Sequence, residues 1–518
     1  MPTEEQTTVP TSTDVVGRDA PDRAIAIAVP SADAVLLGTL LLLAIQLGFA
    51  FQLHRPTFFK LAFAAIAVFA AAVRGFARPT ARVNAALMLL PLIGGLFTYE
   101  AYAAWRRPRD GTAAWLAGRR FDSRGLWESL ADERRKDPST VSYIIPRALL
   151  TNHLVLESWE PEAIAHTVQP DWGIVVNGVR TLPLSGISNR RTVFGNESGT
   201  RVIYESDERG FNNPRGIWDS GNVQVGILGD SFSQGAAVPP EAIAAAHIRK
   251  KFPGTLTLGM CANGPLMEYA SLKEHLIDVK PHIVLWVYYL NDLSDMEVEK
   301  EVPLLWRYLE DDGFRQGLAT KQAQVDAALE AYLQDVERSA PSSWPATLST
   351  MGLTRQSTPL WVQDLVTTDQ HSSLAAFVRF DGLTWIVTKK FLEENYFEQP
   401  PDYALFERIL GKARDVVASW GGQLYFVYLP AVYYLDSRHR FISTREPVLT
   451  LVQRLGIPLI DVHRVFLEVP DPERLRFHYE SHANEAGYEL HAKTILAALE
   501  AAAAPVPATG GSVVHSLP

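Results

Sequence analysis

Apolar residues crowd the first hundred positions of the chain in three long stretches, at residues 34–53, 58–75 and 83–104. The first, AVLLGTLLLLAIQLGFAFQL, carries no charge and is as long as the roughly 20 residues that a bilayer-crossing helix needs. The second has Lys60 and Arg74 near its ends, where long side chains can reach the membrane surface. The third contains Pro91, Gly94 and Gly95, which membrane helices tolerate, and Glu100 near its end. The pattern predicts a membrane region over residues 33–104 with about three transmembrane helices; an interfacial hairpin or a buried soluble pair is the alternative for the second and third. Residues 1–32 are polar and small and read as a disordered tail, as do residues 501–518.

Beyond residue 105 the pattern changes. Residues 105–222 read as a linker and an accessory region of short strands and turns, with WGIVVNGV and GNESGTRVIYESDERGFNNPRG as the clearest pieces. From Val223 short apolar runs alternate with helical patterns: VQVGIL, a helix over 241–251, GTLTLGM, a helix over 271–279, and HIVLWVYY. The last is a continuous apolar run of the kind that buried parallel strands show. After an insertion at about 298–400 the alternation resumes, with helices over 403–417, 445–455 and 485–500 and strands QLYFVYLP and IPLID. Within the insertion, Val325, Leu329, Tyr332 and Val336 recur at helical spacing and mark a packing face. Residues 341–400 are aromatic-rich and irregular, a candidate cap over a cleft. Strands alternating with helices predict a doubly wound, mostly parallel α/β sheet over residues 223–500, preceded by the N-terminal transmembrane helices.

Charge and composition narrow the chemistry. The formal net charge of -10 argues against a nucleic-acid binder. The single cysteine permits no intrachain disulfide. GxGxxG, GxxxxGK and GxSxG are all absent, so neither a nucleotide site nor a nucleophile elbow has a motif. His478 and His482 stand four apart, but Tyr479 occupies the place where a zinc-protease helix needs glutamate. No cofactor and no metal is expected. Arginines 74, 78 and 82 favour a cytoplasmic second loop, whereas arginines 106, 107 and 109 argue the reverse, so charge leaves the orientation open.

One strand candidate, VQVGIL, runs directly into Gly229-Asp230-Ser231-Phe232-Ser233-Gln234-Gly235. That places a serine hydroxyl at a strand's carboxyl end, where open α/β sheets keep their sites. A serine nucleophile needs a base, and His482, on a loop before the last helix, is the best candidate. Glu480 is the nearest acid able to hold the imidazole tautomer. Developing oxyanion charge needs donors, available from a backbone N–H in the Met260–Pro265 loop and from the Asn291 amide just past HIVLWVYY. Asp230 and Asp292 read as braces for their turns, and Cys261 as a packing residue.

Four blocks together carry a resemblance. GDSFSQG, LGMCANGPL, YYLNDL and FHYESHANEAGY resemble, in order, the motif blocks of the SGNH (GDSL-type) hydrolases. The lead-in SDERGFNNPRGIWDSG is similar to that of membrane-attached bacterial members. The resemblance covers roughly residues 180–500 and implies a flavodoxin-like three-layer fold. It assigns Ser231 as nucleophile, the Ala262 N–H and Asn291 as oxyanion donors, and His482 as base. Three positions depart from the pattern: Ala262 and Tyr289 stand where glycines are usual, and Tyr479 where an aspartate is common. The implied activity is ester hydrolysis or O-acyl transfer on an acylated cell-envelope glycan or other small ester. The implied setting is the bacterial cytoplasmic membrane with the domain on its outer side, and the partners are the lipid bilayer and envelope polysaccharide-assembly proteins. A catalytically silent glycan-binding or assembly protein is the alternative.

Overall fold

The computed structural model describes residues 19–52, 57–106, 108–150, 171–339, 358–366, 372–384, 401–430, 442–477 and 482–503. They divide into two units: one comprises residues 1–107 and 361–395, the other residues 108–360 and 396–518.

In the first unit, helices α1 (Asp19–Gln52), α2 (Thr57–Phe76) and α3 (Pro79–Arg106) follow one another. Each is long and apolar enough to cross a membrane, over Ala28–Phe51, Phe59–Phe76 and Pro79–Trp105. Leu37, Leu41 and Ile45 of α1 and Val68 and Phe69 of α2 point outward, as a lipid-facing helix requires once its own backbone groups are paired internally. Helix α1 begins at Asp19, inside the stretch expected to be a disordered tail. The reason is visible in retrospect: Ala24 to Val29 extend the apolar run towards the N-terminus. A short helix of the insertion, Ser373–Arg379, belongs to this unit.

The second unit begins with five short strands: β1 (Val141–Ser142), β2 (Ile174–Val176), β3 (Val179–Thr181), β4 (Arg191–Val193) and β5 (Ile203–Glu205). Strands β1, β4 and β5 form one sheet and β2–β3 a hairpin. The main sheet has five parallel strands in the order β7-β6-β8-β9-β10, with β6 at Val225–Leu228, β7 at Thr255–Thr257, β8 at Ile283–Tyr288, β9 at Gln423–Tyr428 and β10 at Leu459–Asp461. That order is the flavodoxin-like one, whose strand sequence reverses beside the first strand. Here the reversal lies between β6 and β8, and the crevice it opens is at their carboxyl ends.

The continuous apolar runs are explained by burial on both faces. Val284, Trp286 and Tyr288 of β8 pack into one core with Leu424, Phe426 and Tyr428 of β9, whereas Leu285 and Val287 face the other with Val225, Ile227 and Val427. The first core is closed by helix Tyr403–Ser419 through Phe406, Ile409, Leu410 and Ala413. The second is closed by the last helix, Glu485–Ala503, through Tyr488, Ala492, Ile495 and Leu499. Insertion helix Gln322–Ser339 buries Val325, Leu329 and Val336, with Leu333 seated deeper than Tyr332. The helix expected over 271–279 starts earlier, at Pro265, and continues through a π turn to Val279. Proline directly after Gly264 is a helix-start signal, because the missing N–H would have no partner there anyway.

Candidate active site

Strand β6 ends at Leu228, and the next three residues turn the chain sharply into helix α4 (Ser231–Gln234). Gly229 has φ +147°, and a Cβ there would lie 2.2 Å from Ser233 Oγ and 2.9 Å from the Val287 carbonyl. Only glycine fits this bend. Asp230 caps the helix, its carboxylate accepting the Phe232 N–H at 2.9 Å. Ser231 is thereby presented at the mouth of the crevice between β6 and β8, yet is only 3% exposed.

His482 comes from the loop ahead of the last helix. Asn484 holds that loop: its amide donates to the Arg474 and Arg476 carbonyls, and its Oδ1 accepts the Gly487 N–H. The ring packs against Phe232, centroids 4.9 Å apart, and its Nε2 lies 2.8 Å from Ser231 Oγ. On the other side, Nδ1 lies 2.6 Å from Glu197 Oε1, while Glu197 Oε2 accepts the His482 backbone N–H at 2.9 Å. An ionised Glu197 accepts the Nδ1 proton, leaving the Nε2 lone pair for the serine hydroxyl. Glu197 sits in the turn between β4 and β5, fixed by a neighbour: the Asn196 amide donates to the Asp122 carbonyl.

Sequence reasoning did not find this acid. Glu480, the acid it named, lies outside the described residues, as does His478. An imidazole Nδ1 carries one proton, and Glu197 takes it. Nothing local distinguishes Glu197 among 58 acidic residues, since its partner is 285 positions away.

The second element of the site is the loop from Met260 to Gly264. Four of its five backbone N–H groups are committed: Met260 to the Gly229 carbonyl, Cys261 to Gln234 Oε1, Asn263 to the Met260 carbonyl and Gly264 to Glu299 Oε1. Among the described residues, the Ala262 N–H meets no acceptor. Ala262 adopts φ +60°, so the left-handed conformation usual for glycine is reached here by alanine, at a cost of about 1 kcal/mol. Cys261 is buried, and burial pushes its thiol well above the ordinary range, which suits a packing residue.

The helix Asp292–Glu299 carries three acids towards this part of the site. Asp292 Oδ2 accepts the Tyr289 N–H at 3.2 Å, Asp295 Oδ2 accepts from the Asn291 amide at 2.8 Å, and Glu299 accepts the N–H groups of Gly264 and Leu266 at 2.6 and 2.9 Å. The Asn291 amide is therefore engaged by Asp295, and it also acts on the Asp230 carboxyl. Arg147 pairs with Asp295 at 3.1 Å. With Asp230 and Glu268 these acids form a buried group of five carboxyls. Burial raises all five: Asp230 to about 6, Glu299 to about 8, Glu268 and Asp292 well above the ordinary carboxyl range, and Asp295 above its ordinary range despite Arg147 and Asn291. Tyr289 stacks on Phe232 with centroids 4.2 Å apart.

The lead-in to β6 braces the same region. Buried Asp207 accepts from the backbone of Arg209 and Phe211 and from the side chains of Asn213 and Trp218. Asn213 in turn pairs with both polar backbone groups of Thr257 on β7. Asn212 donates to the Gln234 carbonyl at the end of α4.

No family model matches the chain, and no curated protein matches it. Solved structures do. The acetyl xylan esterase AlAXEase is 10% identical, with 54% of this chain and 100% of that one covered and a TM-score of 0.29. A lipase/acylhydrolase from Enterococcus faecalis is 11% identical, with 55% and 99% covered and a TM-score of 0.29. A member of the lipolytic protein G-D-S-L family from Veillonella parvula DSM 2008 is 12% identical, with 53% and 96% covered and a TM-score of 0.28. Likeness of this size carries no chemistry across.

Proposed function

We propose that this protein is a membrane-anchored serine ester hydrolase. The observation that carries the reading is the unbroken chain Glu197–His482–Ser231, with contacts of 2.6 and 2.8 Å, ending beside a loop whose Ala262 N–H is uncommitted. Ser231 Oγ attacks the ester carbonyl as its proton passes to His482 Nε2, and Glu197 stabilises the imidazolium. The carbonyl oxygen becomes an oxyanion, held by the Ala262 N–H and the Asn291 amide. Collapse expels the alcohol, which takes the proton from His482 and leaves an acyl-serine. A second hydroxyl, activated by the same imidazole, then releases the acyl group and restores Ser231.

Water as the second hydroxyl makes the protein an esterase; a sugar hydroxyl makes it an O-acyltransferase. The SGNH-type motif blocks favour a small acyl group, acetyl above all, on a cell-envelope glycan, with the second unit on the outer side of the cytoplasmic membrane. The full-length protein in detergent is the material for the test. A fluorophosphonate probe is expected to label the wild type and not Ser231→Ala, and p-nitrophenyl acetate to be hydrolysed by the first alone. A folded wild type that neither labels nor turns over would sink the proposal and favour a silent glycan-binding protein.

A further inference from the structure

The insertion between β8 and β9 sends one segment back to the first unit. There the chain breaks between helix Ser373–Arg379 and a helical turn at 381–384, with Phe380 in the left-handed conformation at φ +57°. A helix break leaves carbonyls and N–H groups without intrahelical partners. At this one, side chains from the membrane-type helices serve them. Gln46 of α1 donates to the Val378 carbonyl at 2.7 Å, and Glu100 of α3 accepts the N–H groups of Gly382 and Leu383 at 3.0 and 2.5 Å. Phe97 packs on Phe377 and Phe380, with centroids 5.4 and 5.0 Å apart. Glu100 and Gln46 are each 1% exposed. The segment's own charges are turned inward too, Arg379 pairing with Asp381 at 2.9 Å and donating to the Asp364 carbonyl.

Depth follows from helix rise. Spans of 24 and 27 residues are about 36 and 40 Å long at about 1.5 Å per residue, against a hydrocarbon core of about 30 Å. With each span centred, Gln46, Phe97 and Glu100 fall about 3 to 7 Å inside the hydrocarbon boundary. What the segment shows to its surroundings agrees with that depth. Among its described residues, 361–366 and 372–384, the exposed ones are Trp361 and Leu374, both apolar. Tryptophan favours the membrane–water boundary. A water-facing break would have no need of buried polar side chains from two spans; one placed in lipid must have its backbone satisfied internally.

We propose that residues 361–366 and 372–384 belong to a fourth membrane element, lying in the boundary layer of the bilayer with Trp361 and Leu374 against lipid. The occupant of this apolar surface is lipid rather than a second protein. The inference rests on α1–α3 crossing the bilayer, and it is independent of the esterase reading. The chain then leaves the membrane region for the second unit twice, after α3 and again after this element.

The test uses the full-length protein in phosphatidylcholine–phosphatidylglycerol vesicles, with nitroxide labels on Leu374→Cys, Trp361→Cys, Leu41→Cys and Asp335→Cys. The native Cys261 is buried and stays unlabelled. Collision with oxygen, which partitions into lipid, is compared with collision with a water-soluble nickel chelate. The ratio at 374 and 361 is expected to be several-fold above that at 335 and to approach that at 41. Glu100→Ala should lower it at 374 and leave it unchanged at 41. Nickel-dominated collision at 374 with oxygen-dominated collision at 41 overturns the proposal alone. Nickel-dominated collision at 41 overturns the spanning reading and the proposal with it. Labels at 361 and 374 shielded from both reagents indicate a covering protein and also overturn it.

Discussion

Replacing Glu197 with glutamine isolates what its carboxylate does. Both oxygens are occupied by donors, Nδ1–H at 2.6 Å and the His482 backbone N–H at 2.9 Å. An amide of the same shape has one oxygen and one NH2, so one of those two contacts must become donor against donor. If the NH2 faces the backbone, the buried N–H is left unpaired at a cost of about 1–3 kcal/mol. If it faces the ring, Nδ1 must accept, the proton moves to Nε2, and the base can no longer take the serine proton. The second orientation keeps every hydrogen bond satisfied and should therefore dominate. In serine-protease triads the same acid-to-amide change lowers kcat by about 10⁴, equivalent to about 5.4 kcal/mol of transition-state stabilisation. We expect Glu197→Gln to lower kcat for p-nitrophenyl acetate by three to four orders of magnitude, roughly, with KM little changed and the thermal midpoint close to wild type. Glu480→Gln, measured alongside, should stay near wild type. The reasoning fails if Glu197→Gln remains within about tenfold of wild type, and fails more instructively if Glu480→Gln shows the loss.

Other consequences follow from the same contacts. Ala262→Gly should keep kcat, because glycine reaches φ +60° freely, whereas Ala262→Val, β-branched in the left-handed region, should lower kcat about 10²- to 10³-fold, the usual effect of losing an oxyanion donor; equal activities would remove Ala262 from the site. Burial raises the Glu299 carboxyl from 4.5 to about 8, so between those values the folded protein holds a proton that the unfolded chain has released, and stability falls as pH rises through that window. Glu299→Gln lacks this slope, so its melting temperature should gain on the wild type from pH 5 to pH 8; parallel curves would refute the assignment. Arg147→Met leaves Asp295 without its cation among four other buried carboxyls, and should cost about 3–5 kcal/mol in a denaturant titration; a loss under about 1 kcal/mol would show that Asp295 is already protonated in the wild type.

Much of the architecture is legible in local pattern because local pattern causes it. The run VLWVY is apolar at every position because β8 is covered on both faces, and a strand with that environment has no polar side to display. Gly229 is required by the bend at its own φ, and Pro265 marks a helix start that the apolar pattern placed six residues late. The uncharged first stretch is long enough to span a bilayer whatever surrounds it. In each case the deciding interaction involves residues that are near neighbours in the chain, or the solvent.

What the sequence determined by itself was the succession of elements, the parallel sheet, and the ends of strands where a serine, an amide and a free N–H would stand. Only the tertiary structure decided which acid meets His482, since Glu197 reaches it from a turn in a separate sheet. The same holds for Glu299, which holds the Met260–Gly264 loop, for Asp295, which holds Asn291, and for Glu100 and Gln46, which look like tolerated polar residues in apolar helices until the insertion is seen resting on them. The physical reason is common to all: a carboxylate's role is set by the donors within about 3 Å of it, and those donors are supplied by folding rather than by sequence proximity.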